Sequence, residues 1–158
     1  MAPLQIGDKA PDFALPSDEG GDIRLGDFAG RPLVVYFYPK DDTTGCTSEA
    51  KAFTAARPQF DALGVTVVGV SKDSIKSHGK FRQKYDLSIR LGADVSGETV
   101  ESFGVWVQKS MYGRSYMGIE RATFLIDGTG VVRRIWRKVS VTGHVDQVLA
   151  AAREMTGG

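Results

Sequence analysis

The chain has 158 residues, 42% hydrophobic and 25% charged, enough to close one core around a single domain over residues 1–158. Twenty basic side chains face nineteen acidic ones, a net charge of +1 that leaves no electrostatic footprint for nucleic acid or a membrane surface. A lone cysteine excludes an internal disulfide framework. The first residues carry no charged-then-apolar signal pattern, and no apolar run approaches the ~20 residues that span a bilayer. A reducing, cytoplasmic location is the expectation.

In chain order, residues 1–12 form an extended lead-in. Phe13-Ala14-Leu15 and Ile23-Arg24-Leu25 are the arms of a hairpin around the turn at Ser17–Asp22. Gly26–Arg31 is a loop or a single helical turn. Leu33–Tyr38 is continuously apolar, which suits a strand buried on both faces. Thr47–Ala56 reads as a helix with Ala50 and Phe53 on its inner side, and Pro58 is expected to kink it or start a second short helix. Gly64 ends the segment and Val65–Val70 is a second buried strand. Ser71–Ser74 offers N-cap groups for a helix through Tyr85, with Ile75, Phe81 and Tyr85 inward.

Ile89–Leu91 is a short strand, Gly97–Phe103 a brief helix and Val105–Val107 a brief strand. Lys109–Gly118 is polar and glycine-containing, and is expected to be a mobile loop. Arg121–Ile126 and Val131–Trp136 are strands joined by the Asp127–Gly130 turn. The basic group Arg133, Arg134, Arg137 and Lys138 reads as a solvated edge-strand face. Val145, Val148, Leu149 and Ala152 recur at i, i+3, i+4 and i+7, an amphipathic helix over His144–Met155. Two strand-helix units, a hairpin and a closing helix predict an α/β layered domain.

The chemistry concentrates at Pro39-Lys40-Asp41-Asp42-Thr43-Thr44-Gly45-Cys46, between the first buried strand and the helix after it. A free cysteine is often only a small buried hydrophobe. Here it stands at a helix start, where backbone N–H groups are unpaired and a thiolate is favoured. Gly45 lets the backbone approach a ligand closely, and Thr43 can turn its hydroxyl to the same point.

Thiolate formation alone is too weak. A helix terminus contributes about 0.3–1 kcal/mol, about 2 when partly buried, and one pKa unit is about 1.4 kcal/mol. Even a fall of about 2.5 units in a thiol raises its thiolate fraction only about 30-fold at neutral pH, and lower nucleophilicity takes back about ten-fold. Enzymes typically reach at least ~10⁶. A catalytic Cys46 therefore needs fixed donors on the atom under attack: backbone N–H groups at Gly45 and Cys46, the Thr43 hydroxyl and a guanidinium.

The stretch Tyr36-Phe37-Tyr38-Pro39-Lys40-Asp41-Asp42-Thr43-x-Gly45-Cys46-Thr47-x-Glu49-Ala50 resembles the active-site segment of the peroxiredoxins. The nearest subgroup is bacterioferritin comigratory protein, or peroxiredoxin Q. The likeness extends through Gly7-Asp8-x-Ala10-Pro11-Asp12-Phe13, Val70-Ser71-x-Asp73-Ser74, Ser77-His78-x-Lys80-Phe81 and Gly118-Ile119-x-Arg121-x-Thr123-Phe124-Leu125-Ile126-Asp127. It implies a thioredoxin-like fold, a central mixed sheet flanked by helices with an N-terminal hairpin extension. It implies a thiol peroxidase that needs no cofactor and no metal. By it, Cys46 is the peroxidatic cysteine, Thr43 hydrogen-bonds the thiolate and the incoming oxygen, Arg121 stabilises both, and Pro39 shields the oxidised sulfur. Glu49 is a candidate to orient Arg121, with an ordinary exposed helix carboxylate as the alternative.

Two departures stand out. Thr44 replaces the subgroup's usual proline, and the family's resolving-cysteine positions correspond to Lys51 and Arg82. A sulfenic acid on Cys46 must then be recovered by an external thiol: thioredoxin, a glutaredoxin, or glutathione or another low-molecular-weight thiol. Hydrogen peroxide and organic hydroperoxides are the expected substrates, and the expected state is a monomer or at most a weak dimer. The rival readings are a redox sensor without useful turnover and a thioredoxin-fold thiol transferase or binding scaffold. A transferase favours Cys-x-x-Cys, and Glu49 fills its second slot. Lys40, Asp41 and Asp42 read as loop solvation, and no His, Cys and Asp grouping suggests a metal site.

Overall fold

A computed structural model of the chain describes residues 3–157. β1 (Ala14–Pro16) and β2 (Asp22–Arg24) form the expected N-terminal hairpin, with Leu15 opposite Ile23 and both side chains buried. After a 3-10 turn at Leu25–Phe28 come β3 (Leu33–Phe37), α1 (Thr44–Ala62), β4 (Thr66–Ser71), α2 (Ile75–Tyr85), β5 (Arg90–Ala93) and α3 (Glu98–Ser102). β6 (Trp106–Met111), β7 (Arg114–Ile119), β8 (Ala122–Ile126), β9 (Val132–Trp136) and α4 (His144–Thr156) follow.

The central sheet runs β5-β4-β3-β8-β9. The β3–β4 and β4–β5 pairs are parallel, while β3–β8 and β8–β9 are antiparallel. β3 is buried along its whole length because both faces are covered. Val34 and Tyr36 face a cluster with Phe53 and Phe60 of α1, Phe81 of α2 and Val148 and Leu149 of α4. Leu33, Val35 and Phe37 face Phe28, Val100, Phe103 and Phe124 on the other side. The basic residues Arg133 and Arg134 do lie on β9, the sheet edge.

Three sequence expectations are corrected. α1 begins at Thr44 and runs unbroken past Pro58 to Ala62. Proline removes one i→i−4 hydrogen bond, but Phe53 and Phe60, one on each side of it, are fully buried and hold the helix to the sheet. Residues 109–118 belong to the antiparallel β6–β7 hairpin rather than a mobile loop, with Trp106 opposite Ile119 and Met111 opposite Arg114. Its tip, Tyr112-Gly113, has φ of 52° and 77°, the two-residue turn that matches strand twist. Tyrosine is an unusual residue for that position, so the turn signal is weak. Finally, Ile75 is 44% exposed and His78 takes the inward place with Phe81.

Gly69 of β4 lies opposite Tyr36 of β3, and a Cβ there would sit 2.7 Å from the Tyr36 ring. The ring fills the space a side chain would need. Gly69→Ala is expected to destabilise the fold by about 1–3 kcal/mol, as overpacking does. Denaturant unfolding checks this, and an unchanged midpoint would refute the close packing.

Candidate active site

Cys46 is the third residue of α1, after Thr44 and Gly45, with Thr43 as the N-cap. So the thiol lies inside the first helical turn, where the Thr44, Gly45 and Cys46 N–H groups have no i−4 helical acceptor. Its side chain is 1% exposed. The Thr43 hydroxyl donates to the Lys40 carbonyl at 2.8 Å and closes the loop on itself. Pro39 is the exposed first residue of that loop.

Arg121 precedes β8, and the register Phe37↔Ala122 sets it beside the end of β3. Its carbonyl accepts from the Val139 N–H at 3.0 Å. Its guanidinium spans two partners: Nη2 donates to Cys46 Sγ at 3.4 Å and Nη1 to Glu49 Oε1 at 2.7 Å. Gly45 makes this approach possible, since a Cβ at that position would lie 3.0 Å from Arg121 Nη2. The glycine therefore serves the guanidinium as much as any ligand.

Glu49 is 0% exposed, so the exposed-carboxylate alternative is corrected: it follows Cys46 by three residues and shares its helix face. Burial pushes its carboxyl up to about 7, against the opposing pull of Arg121's charge and hydrogen bond. On Arg121 burial acts downward, and Glu49 and Cys46 outweigh it, so the guanidinium is held above its usual value and stays charged. Lys109 on β6 is lowered by burial and then by Arg121. His144 is pushed down to about 4 by burial and Arg121, and stays neutral with Nε2 2.8 Å from the Thr123 hydroxyl.

The loop carboxylates are not mere solvation. Asp41 is buried: Oδ1 accepts from the Tyr38 hydroxyl at 2.6 Å, and Oδ2 from Ser77 Oγ at 2.8 Å with His78 Nδ1 also at 2.8 Å. The Asp41 N–H donates to Asp73 Oδ2 at 2.8 Å. Asp42 accepts from Lys84 Nζ at 2.8 Å and from the Tyr85 hydroxyl. Donor atoms of Asp41, Asp73 and His78 fall within 4.8 Å of one another, a grouping the sequence reading missed. They are already engaged in protein hydrogen bonds, with one another and with Tyr38 and Ser77. The inward placement of His78 three residues before Phe81 was the available signal.

The two positions expected to carry a resolving cysteine are otherwise employed. Lys51 is exposed, its Nζ 6.0 Å from the centre of the Tyr85 ring. Arg82 donates to both Asp18 carboxylate oxygens, at 2.6 and 3.1 Å, and to the Leu87 and Ile89 carbonyls.

The Glu49 shift has a sign. The native state holds the Glu49 proton more tightly than the unfolded chain, so this group lowers stability as pH rises from 4.5 to about 7. Glu49→Gln removes that slope. The stability difference between wild type and Glu49→Gln is expected to move by up to about 3 kcal/mol in the variant's favour across the window. Denaturant unfolding in a pH series reads it, and parallel curves would refute it.

The AhpC/TSA family signature matches residues 6–135. Peroxiredoxin Bcp of Bacillus subtilis is 44% identical over 153 residues, covering 97% of this chain and 98% of that protein. Peroxiredoxin Bcp of Escherichia coli is 38% identical, covering 98% and 99%. A solved structure of Xanthomonas campestris peroxiredoxin Q is 42% identical with a TM-score of 0.89, covering 97% of both chains. That protein has also been solved with serine in place of each of two different cysteines, whereas the present chain has one. Fold, site and relatives agree: this chain belongs to the AhpC/TSA family, in its Bcp or peroxiredoxin Q branch, with a thioredoxin-like fold and no resolving cysteine.

Proposed function

We propose that the chain is a thiol peroxidase working through Cys46 alone. The observation that carries this is the Arg121 guanidinium, shared between the Cys46 sulfur and the buried Glu49 carboxylate. That arrangement supplies the fixed positive charge which a thiolate by itself lacks. The Xanthomonas campestris relative is described with alkyl peroxide reduction activity, which supports organic hydroperoxides beside hydrogen peroxide as substrates.

In the proposed cycle the Cys46 thiolate attacks the terminal peroxide oxygen. The S–O bond forms as the O–O bond breaks, sulfur is oxidised, and the peroxide proton ends on the departing oxygen as water or alcohol. Arg121 lies within reach of sulfur and holds charge as it moves toward the leaving oxygen. The Gly45 and Cys46 N–H groups add donors at the helix start. Thr43 gives its own proton to the Lys40 carbonyl, so its oxygen is free to accept from the peroxide O–H. Glu49 fixes the guanidinium, and Pro39 shields the oxidised sulfur.

The sulfenate takes up a proton from solvent, and the resulting sulfenic acid condenses with an external thiol, releasing water. A second thiol then frees Cys46 and leaves as a disulfide. The reductant is thioredoxin, a glutaredoxin or a low-molecular-weight thiol. We place this monomeric cycle in the cytoplasm, where such thiols are kept reduced. Among the described residues no helix is long and apolar enough to cross a membrane.

Stopped-flow oxidation by hydrogen peroxide and by an organic hydroperoxide tests the reading. Arg121→Ala is expected to lose at least about a hundredfold in rate, the scale of removing one such donor, and Thr43→Val a comparable amount. Gly45→Ala, which displaces the guanidinium, falls between these and wild type. Wild-type rates like those of a small-molecule thiol, unmoved by any of the three, would overturn the assignment. Peroxide without reductant is expected to add two and then three oxygens to Cys46 by mass spectrometry. Fast oxidation that no physiological thiol reverses would instead identify a sensor.

A further inference from the structure

We propose that His78 is a positioning residue for peroxide reduction: as an imidazolium clamped between Asp41 and the Gly92 carbonyl, it fixes the loop that delivers Thr43 and the start of α1. This rests on the peroxidase reading above, and its first readout is independent of activity.

The protonation state follows from counting donors and acceptors. His78 is 0% exposed, with Nε2 3.1 Å from the Gly92 carbonyl oxygen and Nδ1 2.8 Å from Asp41 Oδ2. A backbone carbonyl only accepts, so Nε2 carries a proton. Asp41 already receives hydroxyl protons on both oxygens, from Tyr38 and Ser77, which marks it as a carboxylate with no proton to give. Nδ1 therefore carries a proton as well. The ring is cationic, and two of its neighbours are negative.

The charged groups that face it are Asp41 from the loop and Asp73 from the β4–α2 connection; Tyr38 of the β3 end, 3.4 Å away, is the titratable hydroxyl. Burial lowers the His78 pKa, and the Asp41 bond and charge, Gly92 and Asp73 outweigh it to give a net rise. Tyr38 is itself held well above its usual value by burial and stays a neutral donor.

The clamp reaches the reaction through two residues. Asp41 is gripped by side chain and by backbone, from α2 and from Asp73. Asp42, next in line, holds the left-handed φ of 59°, which an aspartate adopts at some cost, and its carboxylate is tied to Lys84 and Tyr85 at the far end of α2. Thr43 then turns its hydroxyl to Lys40 and caps the helix carrying Cys46. α2 thus grips the loop at both of its ends. If His78 loses a ring proton, a nitrogen lone pair faces an oxygen lone pair on one side of the clamp, at Gly92 across 3.1 Å or at Asp41 across 2.8 Å, and that side opens. The sign is that of a histidine with a raised pKa. The contribution is complete below the unfolded value of about 6.5 and is lost as pH rises through the folded one.

Nitrogen NMR of the two histidines in wild-type protein, paired with the pH dependence of Cys46 oxidation by hydrogen peroxide, tests the proposal. His78 is expected to show two protonated ring nitrogens at pH 7, with His144 neutral. The oxidation rate is expected to decline on the alkaline side at the pH where the His78 signal titrates. His78→Gln is expected to lose about tenfold in rate at pH 7, as a small misplacement of reacting groups does, and to lose the alkaline decline. Asp41→Asn is expected to do the same. A neutral His78 at pH 7, an alkaline limb that does not coincide with its titration, or a His78→Gln protein with a lower melting temperature but the wild-type rate and profile would each overturn the role. If the single variants fail to fold, the Asp41→Asn/His78→Gln pair removes both charges together, and the wild-type coincidence needs no variant. A wild-type protein without fast oxidation would instead remove the peroxidase reading and leave the NMR result standing.

Discussion

The site depends on one strand pairing. β3 and β8 run antiparallel with Phe37 opposite Ala122, so the end of the first buried strand and the residue before the fourth lie side by side. That register carries Arg121 across 75 residues to Cys46. A one-residue slip would turn every β8 side chain to the other face, and both faces are packed. The hydrophobic patterning that fixes the sheet therefore also fixes the distance from guanidinium to sulfur. Stability and chemistry share a cause here.

The charge arrangement around Cys46 is held against its surroundings. Glu49 is fully buried, and Oε1 is the oxygen that meets Arg121. A buried carboxylate with a single partner is a poor source of stability compared with well-packed hydrophobes. What it does in the structure is geometric: Nη1 is anchored on Glu49 while Nη2 meets the sulfur. Gly45 completes the logic by leaving out the one methylene-sized group that would push the guanidinium away. The side chain forgone at Gly45 leaves room for the guanidinium against the Cys46 sulfur.

Much of this was legible in the chain. Leu33–Tyr38 and Val65–Val70 read as buried strands because continuous apolar runs of that length suit a strand covered on both faces, and Val148 and Leu149 marked the closing helix by period. Cys46 stood out by position, and Arg121 through a resemblance that no local pattern supplies. What stayed hidden involved partners distant in sequence. Asp41 looked like a solvated loop residue because its buried partner His78 is 37 positions away. Glu49 looked ambiguous because helix faces do not announce which of them meets a cation from another strand. The β6–β7 hairpin was hidden for a different reason. Its turn places Tyr112, 97% exposed, in a conformation usually marked by asparagine, aspartate or glycine.

Arg82 has a bearing on how this protein changes over time. Its guanidinium makes four hydrogen bonds, to Asp18 twice and to the Leu87 and Ile89 carbonyls, and so fastens the end of α2 to the N-terminal hairpin. A cysteine there would satisfy none of them and would leave the nearly buried Asp18 without its cation. Acquiring a second thiol at that site is therefore not a neutral step, and the path to it crosses a less stable intermediate. At this position the absence of a thiol is held in place by an arginine's structural bonds, whereas exposed Lys51, its Nζ 6.0 Å from the Tyr85 ring centre, carries no comparable tie.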